Sequence, residues 1–560
     1  MTPLSDTAAP APESPRLGPA CAVVFMVFLG LYLYGNGWHS LWDRDEPRYA
    51  VATQEMIRSG DFVIPHFNGS IRYNKPPLIY WVMSVPMRLL GSNEFSARSA
   101  QAVSGALAVA IVAWLGGRMA RRRDCAFVAA AILGFSPLMT LVAKSSTIDA
   151  VLLLLIVACF ALHWQQRSCG FAWWRHGLFW LLLGLAVLAK GHIGLMVVGL
   201  AVVCEGFWSR WRPPVGYVPG SWRVARTALG WVVLLAVAAP WVVLAWLRTD
   251  GEFLRVILRD HALAHAATAK ESHRGPIVYY LPVLLVASLA GLPAVLVGAV
   301  TAWREARAGC PARRLLVCWF LPTFIMFSLA GTKLPHYILP AVPPLALAAA
   351  LSWPAVSAGV WPRLMRTGAV LGALVGLLAG ALLCVAVVAV PFPDAMIPAF
   401  VAGLIVALGS AVAAWLWWQP RATLALTANA AALLSLWIVL LPWGLPALEP
   451  LRPSKVVADW LREHAPPGTH LMAVGYQEPS LVFYWGRPVD MLGKNEASTA
   501  IERLARTSQP AALLIPAERW QKWVERGGDD IPCSATVRLS RRFYQFQKGG
   551  WLDLMVIGNF

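Results

Sequence analysis

Apolar runs of about 17–25 residues recur along this chain from near position 20 to near position 447, each long enough to cross a bilayer core of roughly 30 Å. With 58% hydrophobic and 14% charged residues among 560, the chain is too apolar and too long for one soluble domain. The 28 Trp suit membrane-interface belts, where an apolar ring carries one polar N–H. The expected fold class is therefore a polytopic α-helical membrane protein. About thirteen spans are expected, centred near residues 28, 106, 134, 157, 182, 200, 236, 292, 322, 344, 380, 407 and 435.

The net charge of +18 could suggest nucleic acid, but its distribution argues against that partner. The basic residues fall in short clusters between spans, which is how topology is encoded, not in a stripe on a soluble face. Arg118 with Arg121–Arg123, then Arg167, Arg175, Arg210, Arg212, Arg223, Arg226, Arg304, Arg307, Arg313, Arg314, Arg363, Arg366 and Arg421 share one side. The positive-inside rule makes that side cytoplasmic. An odd number of spans then puts the N-terminus inside and the C-terminal tail outside. Residues 1–19, rich in Pro, Ala and Ser, read as a disordered cytoplasmic tail. The first apolar run reads as a retained signal anchor, since no small-residue cleavage site follows it before Trp38. Cys159, Cys204, Cys318 and Cys384 lie in spans as small apolar fillers, and Cys533 alone falls in the tail, so no disulfide framework or zinc site is expected.

The outward connections hold the chemically unusual residues. Loop 37–95 carries Asp45-Glu46-Pro47-Arg48-Tyr49 and Lys75-Pro76-Pro77. Within it, residues 46–59 read as an amphipathic helix stopped at Ser59-Gly60, and residues 76–90 as an interfacial helix. Asp149 opens the fourth span, and Lys190-Gly191-His192 is the hairpin between the fifth and sixth. The loop 248–279 contains Lys270-Glu271-Ser272-His273-Arg274, and Gly331-Thr332-Lys333 precedes a span with His336 and Tyr337. Separate outer connections thus deliver charge to one face, which suits a site for a charged headgroup.

Each of these residues also has a plainer reading. Asp45 and Glu46 could simply serve the N-terminus of the 46–59 helix, and Asp149 could be an N-cap after Ser146-Thr147. The functional reading makes Asp45 a carboxylate that holds or activates an acceptor, or stabilises positive charge on a sugar ring. Lys75, Lys190 and Lys333 could be interfacial anchors, but phosphate binding fits at least two of them better. Arg48 lies three residues after Asp45 on one helix face. His261 and His265, spaced i, i+4, read as solvated helix residues over a metal pair. No cofactor is firmly expected; a divalent metal on the carboxylate pair stays open, although no HxxE or DxD pattern accompanies it. From 449 to 560 the texture becomes that of a small soluble α/β domain, with apolar runs at 470–476 and 480–484, helical periodicity at 497–506 and 516–526, and strands at 534–547 and 551–556.

The segments 42–69, 72–81, 93–100, 147–152, 189–195, 259–283 and 331–340 together resemble the bacterial lipid A aminoarabinose transferases. These belong to the GT-C glycosyltransferases related to protein O-mannosyltransferases. The resemblance covers the membrane region (20–448) in order and the soluble tail only loosely. It implies transfer of 4-amino-4-deoxy-L-arabinose from undecaprenyl phosphate to a lipid A phosphate, at the periplasmic face of the inner membrane of Gram-negative bacteria. It further implies Asp45 as the essential acid and Asp149 as the second acidic position. Donor-phosphate binding falls to Arg48, Lys75, Arg274 and Lys190, and substrate contacts to Glu46, Tyr49, His273, Lys333 and Tyr337. The readings weighed against it are a relative using another prenyl-phosphate sugar (hexosamine or mannose) on lipid, glycan or protein, and a lipid transporter or flippase. Transporters usually place ionisable groups at mid-membrane, whereas these spans are nearly charge-free at their centres.

Overall fold

A computed structural model describes residues 16–213, 224–256, 275–389, 393–525, 536–545 and 549–560. Helices occupy all of the expected span centres. Among the described residues, nine are long and apolar enough to cross a membrane unaided, and up to eleven if each of two bent pairs is one span. That is fewer than the thirteen expected. Gly18–Leu33 is only 16 residues long, and Trp173–Lys190 carries Arg175, His176 and Lys190 near its ends, which lowers its hydropathy.

The two bends have local causes. Arg123–Gly134 and Pro137–Ala143 meet at 70°, where Ser136 takes an extended backbone before Pro137. A residue before proline is pushed out of the helical region, and proline itself brings no N–H, so the helix restarts in a new direction. Ile277–Ala287 and Leu289–Arg307 meet at 54° across Ser288.

Between Gly18–Leu33 and the long span Glu94–Ala120 lies the expected outer loop. Its helix runs Asp45–Ser59 and ends on Gly60 at φ +73°, a left-handed position that glycine adopts without strain. A short hairpin follows, β1 (His66–Phe67) with β2 (Ser70–Ile71), then the helix Leu78–Leu90.

The C-terminal domain is a five-stranded sheet of β3 (His470–Val474), β4 (Asp490–Leu492), β5 (Ala511–Pro516), β6 (Thr536–Gln545) and β7 (Gly550–Gly558), in the order β4-β3-β5-β7-β6. β3 pairs in parallel with β4 and β5, while β7 runs antiparallel to β5 and β6. The run 480–484 folds as part of the helix Pro479–Trp485, with proline in its first turn, where a missing N–H costs nothing. Alternation divides the sheet between two cores. Leu471 and Ala473 of β3 and Ala512 and Leu514 of β5 join the core that continues into the membrane helices. Met472, Val474, Leu513 and Ile515 face a second core under Ala497–Arg506 and Ala517–Glu525. Burial on both faces explains why β3 and β5 read as near-continuous apolar runs. The edge strand β6 carries Arg538, Arg541 and Arg542, charges that discourage pairing with another chain.

Candidate active site at the outer-loop end of the helix bundle

The two ends of the bundle differ chemically. At one end the span Asp149–Ser168 begins and Trp173–Lys190 finishes, and at the other lie Arg167, Glu205 and Arg314. There Glu205 accepts hydrogen bonds from Arg167 and pairs with His163 at 2.8 Å, while Arg314 donates to the Arg212 carbonyl at 2.6 Å. These contacts tie helix ends together on the arginine-rich side.

At the opposite end, Gly191 turns the chain between Trp173–Lys190 and His192–Trp211 with φ +62°. That tight reversal leaves Lys190 at a helix end, 2.5 Å from Oδ1 of Asp149. His336 Nε2 stands 3.7 Å from the other carboxylate oxygen, and Lys190 Nζ lies 4.7 Å above the Tyr337 ring. Asp149 thus holds Lys190 in place more than it faces open space. Lys75, half-buried in the outer loop, joins this group: burial, then the nearby Lys190 ammonium, lowers it from 10.5 to about 8, with Asp149 and Asp45 opposing. Two lysines near enough to repel one another favour an anion between them.

Arg72 extends the cationic wall. Its Nε donates to the Tyr80 hydroxyl at 3.0 Å, and its guanidinium lies 5.3 Å from the Tyr49 ring centre. The Tyr49 and Tyr80 rings are themselves 6.0 Å apart. Asp45, the first residue of its helix, is exposed and makes no hydrogen bond or ion pair among the described residues. It lies within electrostatic reach of Arg72, Lys75 and His336. A free carboxylate therefore borders a group of cations.

Of the residues expected from sequence, Asp45, Lys75, Asp149, Lys190 and Tyr337 come together here. Arg48 sits one turn along from Asp45, half-buried and without an ion pair among the described residues. His273 and Arg274 lie outside the described residues, as do Lys270, His261 and His265. Three residues expected to contact substrate are engaged by the protein itself. Glu46 is 3% exposed and engaged on all sides: Arg98 reaches it at 2.7 and 3.0 Å, and the backbone N–H groups of Trp42 and Ser146 donate at 2.8 and 2.7 Å. Lys333, 6% exposed, donates to the Ser328 and Ala330 carbonyls at 2.8 and 2.6 Å, and so satisfies the end of the helix Pro311–Leu329. Tyr49, 5% exposed, packs on Arg72 and Tyr80.

Arg72 and Arg98 are the residues that the sequence reading passed over. Arg72 lies in the same outer-loop stretch as Lys75, and a basic residue on the outer side was already a departure from the charge rule. Arg98 stands near the start of a span, where an ionisable group needs a partner. Its guanidinium, fully buried, also donates to the carbonyls of Asn36, His39 and Ser40. Among the described residues no group of three or more His, Cys, Asp or Glu converges as a metal-ligand set.

This geometry has relatives. A family model described as dolichyl-phosphate-mannose-protein mannosyltransferase matches residues 20–247. The undecaprenyl phosphate-alpha-4-amino-4-deoxy-L-arabinose arabinosyl transferase of Erwinia tasmaniensis is 30% identical over 436 residues, 77% of this chain and 74% of that protein. The second transferase of that name from Sodalis glossinidius is 32% identical over 445 residues, 78% and 75% of the two chains. Among solved structures, ArnT from Cupriavidus metallidurans bound to undecaprenyl phosphate superposes with a TM-score of 0.76 at 21% identity, over 98% of this chain and 99% of that one. Its apo state gives 0.77 at 22% identity, covering 97% and 98%. The fold is thus shared end to end, soluble domain included. The chain belongs to the undecaprenyl phosphate-aminoarabinose arabinosyl transferase family, membrane-embedded glycosyltransferases of the GT-C fold.

Proposed function

We propose that this protein transfers 4-amino-4-deoxy-L-arabinose from undecaprenyl phosphate to a phosphate of lipid A, at the periplasmic face of the bacterial inner membrane. The observation that carries the reading is the placement of Lys75 and Lys190 within electrostatic reach of each other, beside the Asp45 carboxylate, which has no partner among the described residues. Cations at a membrane edge suit a lipid-linked phosphate, and the anionic acceptor needs cations too. Family membership favours the aminopentose as the group moved.

The chemistry follows from what each group can do. The donor's phosphate lies against Lys75, with Arg48, Arg72 and Lys190 around it. An oxygen of the acceptor phosphate attacks the anomeric carbon. The bond from that carbon to the donor phosphate oxygen breaks, and the electron pair leaves with undecaprenyl phosphate. Leaving phosphate gains charge as the bond opens, so a nearby ammonium lowers the barrier. An acceptor phosphate is already ionised near neutral pH, which makes a strong general base unnecessary. Asp45 therefore orients the acceptor or stabilises the oxocarbenium character of the ring. Asp149 holds the Lys190 ammonium at 2.5 Å and keeps it aimed.

The test is mass spectrometry of lipid A from cells lacking or expressing this chain, with Asp45→Asn beside the wild type. A pentosamine mass increment that depends on the wild-type chain and disappears in the variant is the expected result. An increment of hexose or hexosamine, or none, would overturn the assignment of substrates; wild-type turnover by Asp45→Asn would remove the role given to that carboxylate.

A further inference from the structure

Among the described residues Asp45 has no partner, but the residues on both sides of it do. On its C-terminal side Glu46 is locked into the membrane domain by Arg98 and by the Ser146 N–H. On its N-terminal side residues 40–43 form a strap that the soluble domain and its connecting segment grip at every position. Glu449 accepts from the Ser40 N–H at 2.9 Å, and Arg452 donates to the Ser40 carbonyl at 2.8 Å. The Leu41 N–H donates to the Tyr484 hydroxyl at 2.8 Å, and the Arg452 guanidinium lies 3.7 Å over the Trp42 ring. Asp43 accepts from the Ser480 N–H at 2.9 Å and from the Ser480 hydroxyl. Behind that hydroxyl stands Ser454 at 2.6 Å, itself 2.7 Å from the Tyr476 hydroxyl.

We propose that the soluble C-terminal domain is a positioning element for the reaction, setting Asp45 through the grip of Ser480 on Asp43. The inference rests on Asp45 being the reacting-site carboxylate. The grip is longer in reach than a domain needs for tethering alone, since the chain already joins the two parts covalently at residues 446–453. It also falls two residues from the carboxylate it would aim. Displacing a reacting group by about 1 Å can cost roughly 100-fold in rate. Among the described residues Ser480 bonds Asp43 and Ser454 and none of Arg48, Arg72, Lys75 or Lys190, so its loss should leave donor binding alone.

The test uses full-length enzyme purified in detergent, with the undecaprenyl phosphate-linked aminoarabinose as donor and lipid A as acceptor. Wild type, Ser480→Ala, Asp43→Ala and Asp45→Asn are compared for kcat, donor KM and thermal midpoint. Ser480→Ala should lower kcat roughly tenfold or more while donor KM stays within about twofold. Should it not accumulate as folded enzyme, Asp43→Ala carries the same readout, because it removes both oxygens that accept from Ser480. A wild-type kcat in both variants, with Asp45→Asn inactive, overturns the positioning role and leaves the active-site reading standing. A fall in kcat matched by the loss of folded protein, or by an equal rise in donor KM, also overturns it. Wild-type turnover by Asp45→Asn instead removes the reading on which the inference rests.

Discussion

Lys75→Ala offers the sharpest measurement of the anion site. Lys75 is held half-buried beside Lys190, and its ammonium is lowered from 10.5 to about 8, mainly by burial. At pH 7 it is still charged in the free enzyme, so it can bind the donor phosphate. A hydrogen bond to a charged group is worth about 1.5–3 kcal/mol, so the variant should lose about 10- to 150-fold in kcat/KM for the donor. Most of that loss belongs in KM, since the donor phosphodiester carries one charge before bond breaking. The second charge develops only as the bond opens and accounts for a smaller fall in kcat. The same contact predicts a pH profile. As pH rises through about 8 the free enzyme loses this ammonium, and kcat/KM for the donor should fall towards the Lys75→Ala value. A bound phosphate favours the ammonium, so kcat should hold to higher pH than kcat/KM. Lys75→Arg stays charged and should remain flat across the range. The assay is initial-rate transfer from labelled donor to lipid A between about pH 6.5 and 9.5. A donor KM within about twofold of wild type in Lys75→Ala, or a wild-type kcat/KM flat to the top of the range, would refute the reasoning.

Other outcomes follow from the same contacts. Arg98→Leu strands the buried Glu46 carboxylate, and breaking a buried pair costs about 3–5 kcal/mol, so the detergent-solubilised protein should unfold well below the wild type in a thermal scan. Replacing both partners, Glu46→Gln with Arg98→Leu, should recover part of that loss. Burial pushes the Asp43 carboxyl from 3.8 up to about 7, with the Ser480 hydrogen bonds opposing and the Glu478 carboxylate adding. Between about pH 4 and 7 the folded chain therefore holds a proton that the unfolded chain has lost, and the stability this group contributes falls as pH rises through that window. Asp43→Asn cannot titrate, so the thermal midpoint of wild type should decline relative to that variant across the window.

Much of the site was readable because its residues interrupt strong patterns. Lys75, Lys190 and Asp45 stand out against apolar spans and against a charge rule that puts cations on the other side. Glu46 and Lys333 stand out by the same signal, yet both are spent on structure, one on Arg98 and the other on helix-end carbonyls. A pattern of charge marks where ionisable groups gather, and it carries no information about which of them already has a partner. Arg72 escaped attention for the converse reason: its value depends on Tyr80 and Tyr49, which stand in different helices of the loop.

Sequence alone determined the membrane class, the helix positions, the chemically distinct ends and the identity of the family, because hydropathy, charge placement and contiguous motifs are one-dimensional properties. It also located the stop of the outer-loop helix through Ser59-Gly60. Only the tertiary structure decided that Asp149 is occupied by Lys190, that Asp45 has no partner among the described residues, and that a domain some 440 residues downstream holds Asp43. Those outcomes depend on which side chains meet across helices and domains. That pairing is settled by packing and by the cost of leaving a buried charge unmatched.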